Sequence, residues 1–114
     1  MQVARDVAKS SGASYADVRV AARRQQNVNT RDKIVQGASD SDTFGLGVRT
    51  LVDGAWGFAA TSNLNKDAVA AVAKSAIEQA RANRASQLKP MMLAPTPGSQ
   101  IGEWKSPIQI DPFT

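Results

Sequence analysis

The reading starts from residues 43–62, TFGLGVRTLVDGAWGFAATS. Two apolar runs of alternating character flank Asp53 and Gly54. Asp-Gly between such runs signals a tight β-hairpin, because both turn residues tolerate positive φ. With that turn, the register follows by arithmetic: Val52 opposite Ala55, Leu51 opposite Trp56, Arg49 opposite Phe58, Gly47 opposite Ala60 and Gly45 opposite Ser62. Side chains then sort onto two faces. Phe44, Leu46, Val48, Val52, Ala55 and Ala59 form an apolar face suited to a core. Arg49, Leu51, Trp56 and Phe58 share the other face with a floor of small residues, Gly45, Gly47, Ala60 and Ser62.

Working outward, Asn65 with Asp67 opens a helix through residues 66–84, since an Asn side chain caps the first turn and an acid suits the helix dipole. Val69, Val72, Ala73, Ala76, Ile77 and Ala80 fall on one side of it. Upstream, residues 3–11 read as a short helix closed by Gly12. Ala16, Val18, Val20 and Ala22 alternate as a strand that can run on to Thr30, although its apolar support fades among the Gln and Asn residues. Arg31, Asp32 and Lys33 make a turn, residues 34–38 a second strand, and residues 39–42 (SDSD) a polar connection into the opening hairpin. The expectation is an α+β fold: a four-stranded antiparallel meander with two helices, spanning residues 1–85. Prolines at 90, 95, 97, 107 and 112 then make residues 86–114 an extended tail or linker. The tail holds Met91, Met92, Leu93, Ile101, Trp104, Ile108, Ile110 and Phe113, so part of it is expected to pack on the domain or on another partner.

Composition narrows the chemistry. The chain has 114 residues, a net charge of +4, no histidine and no cysteine. The usual zinc ligands, an imidazole base and a thiol nucleophile are all absent. Asp17, Asp53 and Glu103 have no acid–base partner legible in the sequence, and no catalytic or metal residue is assigned. Basic residues are scattered among acids without a stripe of stacking aromatics, which argues against nucleic acid. No membrane span or signal pattern is present, so a soluble cytoplasmic chain is the default. Gly45 and Gly47 do not make a phosphate loop, because Thr50 stands where a third glycine is needed and no helix follows at once. Asp40 and Asp42 lack the glycine and distal glutamate of a calcium loop. Two readings of Arg49 stand side by side: a stem lying over aromatic rings, or a guanidinium that holds a carboxylate or peptide group.

Several motifs together resemble a known family. GLGVR at residues 45–49, DGAWGFA at 53–59 and the Ala/Val helix are similar to the amino-terminal domain of the TldD/PmbA metallopeptidases, also described as modulators of DNA gyrase. GASYADV at residues 12–18, NTRD at 29–32 and IDPF at 110–113 fit the same pattern. The resemblance implies a fragment of a longer zinc enzyme whose metal site, an HExxxH helix and a later cysteine, lies outside this chain. It implies no cofactor here, zinc in the full-length protein, and a homo- or hetero-dimer that cleaves unstructured peptides. This domain would then be non-catalytic, helping to enclose the substrate chamber or to assemble the dimer, with residues 86–114 leading toward a missing downstream domain and with Gly45, Gly47, Arg49, Trp56, Phe58 and Ala60 as the candidate substrate or domain-docking surface. The alternatives are a free-standing protein-interaction module or a weak, gyrase-related nucleic-acid binder.

Overall fold

A computed structural model describes residues 1–95, 97–98 and 100–114. Thr96 and Ser99, within the expected extended tail, lie outside the described residues. The elements run α1 (Gln2–Ser10), β1 (Tyr15–Arg31), β2 (Ile34–Val52), β3 (Ala55–Thr61) and α2 (Lys66–Ser86). The strands form one antiparallel sheet in the order β1-β2-β3.

Both turns of this meander are two-residue loops with positive φ, at Asp32 and Lys33 (51° and 64°) and at Asp53 and Gly54 (48° and 78°). That backbone matches the right-handed twist of the flanking strands. The pairs Val52–Ala55, Leu51–Trp56, Arg49–Phe58 and Gly47–Ala60 are all formed. β3 ends at Thr61 opposite Leu46, so the pairing expected between Gly45 and Ser62 is not part of the ladder.

The sheet has three strands, not the expected four. The segments read separately at 34–38 and 43–52 are one continuous strand, β2, which passes straight through Ser39, Asp40, Ser41 and Asp42. These residues looked like a connection because none is apolar. In the fold they lie beyond the end of β3, in a two-stranded ribbon whose residues are exposed and which the tail meets where the Phe113 ring lies 5.0 Å from the Arg24 guanidinium; no core there demands apolar alternation. Cross-strand polar contacts sustain the pairing instead. Arg24 Nη2 donates to Asp40 Oδ2 at 3.0 Å, and Gln26 Nε2 donates to the same oxygen at 2.8 Å.

Both helices cover one face of the sheet. Ala4 of α1 and Val69, Ala73 and Ala76 of α2 pack with Leu46 and Val48, while Ala8, Ile77 and Ala80 pack with Val52. Phe44 shares this face by alternation but lies past the helices and is 49% exposed. The helix ends follow local chemistry. Asn65 Oδ1 accepts from the Ala68 N–H at 2.7 Å. At the end of α1, Gly12 at φ 89° lets its own N–H reach Lys9 O and that of Ala13 reach Ala8 O, a Schellman closure.

Gly57 is the point of closest sheet–helix approach. A Cβ there would lie 1.9 Å from Ala76 O and 2.6 Å from Ala80 N, so only glycine lets α2 settle onto β3. The tail touches the hairpin turn, where Met91 N–H donates to Gly54 O at 2.7 Å and Pro90 lies against Gly54. Leu88, Met92, Ile101, Trp104 and Ile110 remain largely exposed. Ribbon and tail together raise the radius of gyration to 19.2 Å, against roughly 13 Å for a compact chain of this size.

Candidate functional site

The face of the sheet away from the helices is built in rows across the three strands. Tyr15, Leu51 and Trp56 form the row next to the Asp53–Gly54 turn, followed by Asp17, Arg49 and Phe58, then by Arg19, Gly47 and Ala60. The next row pairs Ala21 with Gly45.

A single bulge sets these rows. Thr30 pairs with Val35 but Asn29 pairs with Gly37, which leaves Gln36 unopposed. The extra residue shifts the rest of the β1–β2 ladder by one. Without it, Asp17 would face Val48 and the apolar and polar faces of the two strands would be mismatched.

In the first row, the Tyr15 and Trp56 rings meet edge to face with centroids 5.9 Å apart. Leu51 between them in register is only 4% exposed although it points away from the helices. In the second row, Arg49 donates to Asp17 Oδ2 from Nε at 2.9 Å and from Nη2 at 2.6 Å. Its guanidinium lies 4.7 Å from the centre of the Trp56 ring. The hydrogen bond to Asp17 is the main cause that raises the Arg49 pKa above its ordinary value. Asp17, which had no legible partner in the sequence, thus holds Arg49 in place over Trp56.

Beyond Arg49 the face opens into a groove of about 550 Å³. Gly45, Gly47 and Ala60 lie along its floor, Arg19 and Arg23 of β1 along one side, and Phe58 of β3 on the other. Five of the six residues expected to share a docking surface line it: Gly45, Gly47, Arg49, Phe58 and Ala60. Trp56 stands outside it, beneath Arg49. At Gly47 a Cβ would lie 2.9 Å from Phe58 Cε2, so the missing side chain makes room for the chain's own ring. Arg19 and Arg23 were not singled out in the sequence. Their shared parity on β1 places them on one face, but their position beside the glycines follows only from the bulged register.

The outer edge of β3 is closed by α2. The Phe58 N–H donates to Gln79 Oε1 at 2.6 Å, and Asn83 Nδ2 donates to Trp56 O at 2.8 Å. These contacts occupy backbone groups that strand addition at this edge would use.

The residues of this chain do not fit a metal centre. The sequence lacks histidine and cysteine, and among the described residues no three carboxylates come together. Among the described residues no helix is long and apolar enough to cross a membrane.

No curated protein matches the chain. A family model described as PmbA/TldA metallopeptidase domain 1 matches residues 16–80, which run from the start of β1 through the ribbon and sheet into α2. With more than half of its length matched, including every strand that builds the groove, the chain belongs to the PmbA/TldA metallopeptidase family.

Proposed function

We infer that this chain is the non-catalytic first domain of a zinc metallopeptidase acting on unstructured peptides, with its outer sheet face forming part of the wall around the substrate. The observation that carries this reading is the groove of about 550 Å³ beside Gly45, Gly47 and Ala60, on the sheet face that neither helix covers. Gly45 and Ala60 carry no large side chain, so beside the Phe58 ring, which lies over Gly47, an extended backbone can lie close to the sheet. A domain without metal ligands contributes to peptide cleavage by positioning and enclosure. The zinc and the catalytic groups belong, in this reading, to other parts of the enzyme, which assembles as a dimer.

The test is made in the full-length enzyme. Gly47→Leu displaces the Phe58 ring and fills the groove, and Phe58→Ala removes one of its sides. Both variants are expected to retain zinc and to lose cleavage of an unstructured peptide or the dimeric state. Wild-type cleavage and assembly in both variants would sink the reading.

A further inference from the structure

Resting on that reading, we propose that the groove selects acidic segments of extended peptides, through Arg19 and Arg23. Both arginines line it. Among the described residues neither takes part in an ion pair, whereas Arg24, Arg31 and Arg49 each do. The groove's one acid, Asp17, is ion-paired with Arg49, which donates both of its hydrogen bonds to Oδ2. Asp40 and Asp42 project from the opposite face of the ribbon, where Arg24 engages them. The groove therefore carries two guanidinium groups that form no ion pair among the described residues.

Their spacing matches an extended ligand. Residues four apart on a strand are about 13 Å apart and on the same face. A peptide lying extended along β2 presents its own residues at the same interval, so acids four positions apart meet Arg19 and Arg23 together. Each guanidinium then donates to a carboxylate in the forked geometry that favours arginine. Phe58, 57% exposed across the groove, offers apolar contact to the side chains between. A single-stranded nucleic acid needs successive aromatic platforms along a basic track. The Trp56 ring is taken by Arg49, and of the two phenylalanines that line the groove, Phe44 and Phe58, only Phe58 belongs to the outer face by alternation.

The experiment uses the full chain and fluorescence anisotropy with labelled Gly/Ser peptides. These carry, at two positions four apart, Asp, Asn or Lys; an oligothymidylate of matched length is the nucleic-acid probe. The Asp peptide is expected to bind on the order of tenfold more tightly than the Asn peptide, an advantage that shrinks as salt rises. The double variant Arg19→Glu/Arg23→Glu, whose positions are exposed, is expected to melt like the wild type and to prefer the Lys peptide. Tighter binding of oligothymidylate than of the Asp peptide would overturn the proposal, as would an unchanged preference in the double variant. Equal binding of the Asp and Asn peptides would overturn it too, while leaving the chamber wall standing. That wall fails on its own measurement, unaltered cleavage in the Gly47 and Phe58 variants.

Discussion

Thr50 sits in the core with no solvent exposure, and its hydroxyl finds no hydrogen-bond partner among the described residues. Valine has the same shape without the hydroxyl, and leaving a buried polar group unpaired costs about 1–3 kcal/mol. Thr50→Val is expected to stabilise the chain by about 1 kcal/mol, read as a higher denaturant midpoint with an unchanged slope. A loss of stability would point to a partner for that hydroxyl. Asp40 shows a different single-residue effect. The hydrogen bond from Arg24, and then that from Gln26, holds its carboxyl below the usual range. A pKa depressed by folding contributes stability that is complete above the ordinary carboxylate value and disappears as pH falls through the depressed one. The pair is about half exposed, so the effect is local and small. Arg24→Gln is expected to move the Asp40 titration, followed by NMR of the carboxyl carbon, back up toward the ordinary value.

At the scale of elements, Gly57 decides how α2 meets β3. A methyl group there would meet backbone atoms of Ala76 and Ala80, which cannot rotate away. Gly57→Ala is expected to cost about 3 kcal/mol or to prevent folding, measured by chemical denaturation. Gly37→Ala is the matched control, since nothing lies within 4 Å of the added Cβ. It should leave the midpoint nearly unchanged. The two glycines are indistinguishable as letters inside strands; what separates them is whether a helix lies above. The helices were legible for a related reason. Asn65, Asp67 and Gly12 act within one turn of their own positions, so their effect needs no knowledge of the rest of the chain.

For the molecule as a whole, the division between body and ribbon governs behaviour. Eleven residue pairs extend past the end of β3, a reach of about 37 Å. A two-stranded ribbon without a packed face is only marginally stable in water. Amides of residues 24–42 are therefore expected to exchange with deuterium far faster than those of residues 46–52, by mass spectrometry or NMR. Equal protection across β2 would mean that something covers the ribbon.

The sequence by itself determined the local features: the Asp53–Gly54 turn, the hairpin register beside it, the capped helix after Asn65 and the lack of histidine and cysteine. Each depends on neighbouring residues or on plain composition. Tertiary structure alone decided that β2 runs unbroken through Ser39 and Asp42, because polar residues in a solvated ribbon carry no periodic signal. It also decided that Gln36 is an extra residue in the ladder. That one bulge sets which residues of β1 face β2, and so brings Asp17 to Arg49 and places Arg19 and Arg23 beside the glycine floor. Pairing across a long strand sums every residue between the turn and the site, and one unopposed residue redirects all that follow.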